Sequence, residues 1–90
     1  MEKKNKQKLI IKYNLDLAII YKNLAKYDKS EIILNKVFNN PDIQQFKDIK
    51  VRALVTLQGV YNIKRDYDSE KKLGKKILEY IDKNPELENR

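Results

Sequence analysis

The stretch Leu17-Ala18-Ile19-Ile20-Tyr21, with Tyr27-Asp28-Lys29-Ser30 and Lys36-Val37-Phe38 behind it, returns forty residues later in altered form. Leu17, Tyr21, Tyr27, Asp28 and Lys36 meet Leu57, Tyr61, Tyr67, Asp68 and Lys76, and Val37 and Phe38 meet Ile77 and Leu78. Self-similarity over such a period marks a helical repeat. Each half reads as a helix, a short turn closed by a Tyr-Asp pair, and a second helix. One hairpin of this kind cannot cover its own apolar faces, so two are expected to stack. The expected fold class is all-α: two stacked helical hairpins with four main helices, a fragment of an α-solenoid.

Periodicity extends the reading in both directions. Leu9, Tyr13, Leu17, Ile20, Tyr21 and Leu24 recur at three- and four-residue spacing and predict a helix over Asn5 to Ala25 with one apolar stripe. Asp28 stands three residues before Glu31, a capping-box pattern that predicts a second helix over Lys29 to Phe38. That helix carries Ile32, Ile33, Leu34, Val37 and Phe38. Asn40 and Pro41 suit an N-cap and first helical position, opening a third segment over Pro41 to Lys64 with a break near Asp48. Its apolar face is Ile43, Phe46, Ile49, Ala53, Leu57, Val60 and Tyr61. Asp66 or Asp68 caps a fourth helix, Ser69 to Lys83, with Leu73, Ile77, Leu78 and Ile81 inside. Asn84-Pro85 stops it, and the polar residues 86–90 are expected to fray. No linker divides the chain, so residues 1–85 form one domain with repeats at about 8–40 and 43–84.

Composition narrows the chemistry. Ninety residues build one modest core. The chain has no histidine and no cysteine, which excludes disulfides, thiolate chemistry, imidazole catalysis and zinc sites built from those ligands. Ser30, Thr56, Ser69 and the tyrosines therefore lack an imidazole to activate them. Ser30 reads as a small packing residue. Asp66-x-Asp68-x-Glu70 opens like a calcium loop, but Lys71 and Ile77 occupy its sixth and twelfth positions, and helix capping explains the same acids. No catalysis, cofactor or metal is expected. The apolar run after the basic start is only Leu9-Ile10-Ile11, too short for a secretory signal. No stretch approaches the ~20 apolar residues of a membrane span, so a cytoplasmic protein without a membrane partner is expected.

The first half resembles a tetratricopeptide repeat. Leu17, Ala18, Tyr21, Ala25, Tyr27, Ser30, Leu34 and Val37 fall at that family's spacing of large, small and aromatic residues. The likeness covers Lys12 to Asp42 well. It weakens over Lys50 to Pro85, where Gln58, Arg65 and Glu70 replace small residues and Gly74 replaces a large one. The forty-residue period also exceeds the family's usual thirty-four. A lengthened repeat, and the run Leu57 to Tyr67, are similar to the C-terminal domains of the Rgg and PlcR groups of peptide-responsive transcription regulators. In that family the helical array binds a short signalling peptide and dimerises, while a separate helix-turn-helix binds DNA. The chain has no room for that DNA-binding part, so the likeness implies a fragment, a truncated relative or a partner of such a regulator.

The tetratricopeptide likeness also implies a site. In such arrays the first helix of each hairpin lines the concave surface. Carried onto this chain, those positions are Lys12, Leu15, Ile19, Lys22 and Asn23, then Arg52, Val55, Gly59, Asn62 and Ile63. Amide and apolar groups suit an extended peptide, and Lys12, Lys22 and Arg52 would favour acidic side chains or a free carboxylate. The expected function is non-catalytic binding of a protein or short peptide, in a transcription-regulatory setting. A competing reading starts from the excess of 20 Lys and Arg over 13 Asp and Glu. Lys3, Lys4, Lys6 and Lys8, or Lys71, Lys72, Lys75 and Lys76, could neutralise nucleic-acid phosphates. A third is an adaptor or inhibitor that works through its hairpin ends. Two repeats leave Ile10, Ile11 and Tyr13 at one end, and Tyr80, Ile81 and Leu87 at the other, without a further hairpin to cover them. Self-association into a homo-oligomer, or docking onto a larger protein, is the expected consequence.

Overall fold

A computed structural model describes residues 2–89, with side chains described for 5–87. Four helices carry the fold: α1 (Glu2–Asn23), α2 (Tyr27–Asn39), α3 (Lys47–Ile63) and α4 (Tyr67–Lys83). Short 3-10 helices occupy Pro41–Gln45, between α2 and α3, and Pro85–Asn89 after α4. No strand occurs among the described residues, and none of their helices is long and apolar enough to cross a membrane. The architecture is all-α, built of two hairpins.

The forty-residue repeat is reproduced bond for bond at the two hairpin turns. Ala25 N–H donates to the Lys22 carbonyl and Lys26 N–H to that of Tyr21, at 3.0 and 2.8 Å. Forty residues on, Arg65 donates to Asn62 and Asp66 to Tyr61, at 3.0 and 2.9 Å. Each turn passes through a left-handed residue, Ala25 at φ 63° and Arg65 at φ 62°. These close the helices by the route glycine usually takes. The Asn-Pro signals also repeat, but forty-four residues apart. Asn40 and Asn84 donate back to Val37 and Ile81, and Ile43 and Leu87 then donate to those asparagines' carbonyls. The four extra residues are one added turn in α4, which has 17 residues against 13 in α2.

Helix starts depart from the expected caps at one place. Asn40 Oδ1 accepts from Asp42 N–H at 2.9 Å, as the sequence predicts, and of the two acids it offers for α4, Asp66 is the cap, its Oδ1 accepting from Ser69 N–H at 3.3 Å. Asp28 is not a cap. Helix α2 already begins at Tyr27, with Lys26 at the capping position and no side chain bonded there. The Asp28 carboxylate instead takes the Lys64 ammonium at 2.9 Å, tying the start of α2 to the end of α3. The third segment breaks at Phe46, two residues before the expected point. There the 3-10 turn ends, with Ile43 and Phe46 both buried beneath it.

The core joins Ile11, Leu15 and Ala18 of α1 to Leu34 and Val37 of α2, to Ile49, Ala53, Leu57 and Val60 of α3, and to Leu73 and Ile77 of α4. Three sequence expectations change here. The face of α1 that packs inward is Ile11, Leu15 and Ala18, not the stripe Leu9, Tyr13, Leu17, Ile20 and Leu24, which is exposed. Ile11, expected to lie uncovered, is fully buried. Leu78, expected inside, is 66% exposed. The physical reason in α1 is the contact with α2. Ser30 and Ala18 are both completely buried, and Ser30 Oγ donates to the Ala18 carbonyl at 2.7 Å. Two small residues facing each other set the closest approach, and Ile11 and Leu15 lie on the same side of α1.

The second hairpin solves the same contact in reverse. Gln58 stands where the first has Ala18, and Gly74 stands where it has Leu34. A β-carbon on Gly74 would come within 2.9 Å of Gln58 Nε2, so the long amide fills the space the missing side chain leaves. Glu70, in place of Ser30, is reached by Asn62 Nδ2 at 2.9 Å. The large-small order is exchanged while the pair stays complementary.

Two outcomes are expected in thermal and denaturant unfolding. Gly74→Leu alone overfills the second hairpin and costs about 1–3 kcal/mol. Combining it with Gln58→Ala recovers much of that loss, whereas additive effects would show that the two residues do not share space. Ala25→Gly and Arg65→Gly each relieve a left-handed non-glycine residue and raise stability by about 0.5–1 kcal/mol, net of the entropy glycine adds to the unfolded chain.

Candidate functional site

Helices α1 and α3 lie side by side and run in the same direction. Near their N-terminal ends, Lys8 borders one concavity with Asp48 and Ile49. Near their C-terminal ends, the Lys22 ammonium sits 3.3 Å from where a β-carbon on Gly59 would be. Gly59 thus leaves room for the lysine to lie across α3. Helical spacing along α3 assigns Gly59 no such neighbour, because the residue that uses its missing side chain belongs to the other repeat.

The candidate residues divide into four groups. Lys12 on α1, with Arg52 and Val55 on α3, are exposed; Ile19 and Lys22 are half-buried on α1, Ile19 packed against the core. Asn23 and Ile63 end their helices and are exposed beside the turns. Leu15 and Asn62 depart from the expected role. Leu15 is wholly buried in the core, on the side of α1 that carries Ala18 and faces Ser30. The Asn62 amide is committed to Glu70 and therefore braces α3 to α4. The remaining cations, Lys12, Lys22 and Arg52, have no ion pair within 4 Å among the described residues.

Two concavities were not anticipated. One, about 300 Å³, is bounded by Asp48, Val51, Arg52 and Leu87. It exists because the final 3-10 turn folds back on α3, where Glu86 meets Lys47 at 3.2 Å. The forty-four-residue match of Leu87 with Ile43 is the signal that could have found it. The other, about 340 Å³, lies between α2 and α4, with Leu54, Leu57 and Tyr61 of α3 along its floor. Phe38 and Leu73 wall it, and Lys72 and Lys76 stand at its rim. The Leu54, Leu57 and Tyr61 spacing carried that signal, but it merges with the core stripe of α3.

Electrostatics at the hairpin turns are local and explained by contacts. Hydrogen bonding to Asp28, helped by the charge of Glu31, holds the Lys64 ammonium above the usual lysine range. Hydrogen bonds from the Ser69 hydroxyl and backbone N–H hold the Asp66 carboxyl below the usual aspartate range. Burial, and then the charges of Glu31 and Asp66, push the Tyr61 phenol up. Asp66 and Glu70 are thus occupied in capping and bracing. Lys71, Lys72, Lys75 and Lys76 are all exposed along α4. A Lys50 ammonium lies 4.8 Å from the centre of the Tyr80 ring and links α3 to the last turn of α4.

Comparison with known proteins found no matching family model, no similar curated protein and no similar solved structure.

The Asp66 cap has a defined pH dependence. Its folded pKa lies below the unfolded value, so its stabilisation is present above the ordinary aspartate range and is lost as pH falls through the folded value. Asp66→Ala should therefore lower the melting temperature at pH 7, with the gap to the parent chain narrowing below about pH 4. An equal gap at pH 7 and pH 2.5 would exclude the charged cap as its source.

Proposed function

We propose that this chain is a non-catalytic recognition module of the tetratricopeptide type, and that the surface shared by α1 and α3 binds an extended acidic segment of a peptide or protein. The observation that carries the reading is the parallel pairing of α1 with α3, supported by the concavity that Lys8 and Asp48 both border at one end and by Lys22 over Gly59 at the other. Two equivalent helices then offer Lys12, Lys22 and Arg52 around the aliphatic groups Ile19 and Val55. Long cationic side chains with mobile heads supply charge-assisted hydrogen bonds to carboxylates, and Arg52 can engage one through two parallel bonds. The half-exposed aliphatic groups supply the apolar contacts that fix register. The likeness to the peptide-binding domains of Rgg- and PlcR-type regulators agrees with this role, and a place in transcription regulation belongs to the same proposal.

A second reading rests on the four exposed lysines of α4. Phosphate neutralisation by Lys71, Lys72, Lys75 and Lys76 would give nucleic-acid binding that weakens steeply with salt. The two readings use different helices and separate by mutation.

An array of immobilised ten-residue peptides, probed with the purified chain, tests the first. Sequences mixing Asp or Glu with aliphatic residues are expected to bind. Lys12→Glu with Arg52→Glu should reduce that binding at least tenfold without loss of helical signal. Retention of peptide binding in that variant would remove the α1–α3 surface as the site. Binding of a duplex oligonucleotide that is abolished by Lys71→Glu with Lys75→Glu, and unaffected by the first pair, would establish the second reading in its place.

A further inference from the structure

The face of α1 turned away from the core is itself apolar. Ile10, Tyr13, Leu17, Ile20 and Leu24 are 37–63% exposed, and Leu9 lies beside them at 48%. Their spacing is three, four, three and four residues, the alternation of a two-helix seam. The fold treats the equivalent face of the other hairpin as one to be covered. Forty residues after Leu9, Tyr13, Leu17 and Ile20 stand Ile49, Ala53, Leu57 and Val60 of α3, all buried. In α1 the same register positions are left 37–63% exposed.

We propose that a second copy of the chain covers this face, the two α1 helices packing antiparallel about a two-fold axis near Leu17. Three observations select a second copy over a foreign helix. The first is the symmetry of the seam itself. Its positions fall nearly evenly on either side of Leu17, so reversal sets Ile10 against the partner's Leu24 and Tyr13 against the partner's Ile20. Such an isologous contact closes on itself and leaves no open chain of subunits.

Charge is the second. At about 100° per residue, Lys8, Lys12 and Lys22 lie about 140° or more round the helix from Leu17, on its opposite half. The residues beside the seam are Gln7, Asn14 and Tyr21 on one flank and Asp16 and Asn23 on the other. From residue 5 onward, a chain of net charge +7 thus keeps this surface of α1 clear of cations except for Lys6. Parallel pairing would bring two Lys6 ammonium groups together on the seam. Antiparallel pairing separates them, carrying each about 7 Å past the C-terminal end of the partner helix.

Area is the third. Six large side chains with roughly 100 Å² of exposed surface each give about 600 Å² per copy, or about 1,200 Å² in a symmetric pair, the lower limit of a specific interface. The α4 face does not compete as the occupant. It presents Leu78 among Lys71, Lys72, Lys75 and Lys76, and beside the α1 seam those four charges would meet a single acid, Asp16.

Sedimentation equilibrium of the full chain is expected to show a monomer–dimer equilibrium with dissociation in the micromolar range. Ile20→Glu should make it monomeric while leaving its far-ultraviolet helical signal unchanged, and Ile32→Glu, on an exposed site of α2, should leave the dimer intact. Orientation is read from single-cysteine variants, because the natural chain contains none. Leu17→Cys should form a disulfide-linked dimer on mild oxidation. Ile10→Cys and Leu24→Cys should cross-link to each other when mixed, and neither to itself. A chain that stays monomeric at several hundred micromolar overturns the proposal, as does a dimer that survives Ile20→Glu. Self-cross-linking of Ile10→Cys overturns the antiparallel arrangement.

Discussion

The approach of α1 to α2 at Ala18 and Ser30 is the constraint on which the remaining packing depends. Both residues are fully buried, and the serine hydroxyl closes on the alanine carbonyl, so nothing larger fits between the helices there. That contact orients α1 so that Ile11 and Leu15 face inward, against a core that includes Leu34 and Val37. This first hairpin forms the platform that α3 covers with Ile49, Ala53, Leu57 and Val60. The second hairpin meets the same requirement with opposite residues, Gln58 against Gly74. Complementary volume at the crossing matters more than the identity of either side chain.

The same packing decides where charge can act. Because α3 repeats α1 in direction as well as in sequence, cations forty residues apart come to share one surface. Lys12 and Arg52 are equivalent in this sense, one in each repeat. Gly59 lets Lys22 cross between the helices, and the Lys64 contacts with Asp28 and Glu31 fasten the hairpin turns on the other side. That shared surface results from two helices, neither of which would present it alone. The outward seam of α1 points almost opposite to the core and is chemically distinct, with amides at its borders and aliphatic groups at its centre. The proposed recognition surface and the proposed dimer seam therefore lie on separate faces of one helix.

Much of the fold was legible because local signals agreed with one another. The Tyr-Asp pairs marked both turns, Asn40-Pro41 and Asn84-Pro85 marked both second-helix ends, and the apolar face of α3 was read correctly from Ile49 to Val60. Asp66 could be placed as a cap because its acceptor bonds a backbone group three residues away. Asp28 could not, since an equally good local pattern was drawn off by Lys64, thirty-six residues distant. Of the candidate site, Lys12, Arg52 and Val55 keep exposed positions. Asn62 is held by Glu70, a partner in α4 that helical spacing along α3 cannot supply.

The sequence by itself determined the number of helices, their order, the hairpin turns and the repeat that relates the halves. These follow from capping, left-handed turns and periodicity, all of which act over a few residues. Tertiary structure alone decided which side of α1 is inside. That helix carries two apolar stripes, Ile11-Leu15-Ala18 and Leu9-Tyr13-Leu17-Ile20-Leu24, and the second is the longer. Periodicity favours the longer stripe, but burial requires close approach, and only Ala18 is small enough to meet Ser30. The larger stripe is left outside because its bulky side chains would hold α2 away.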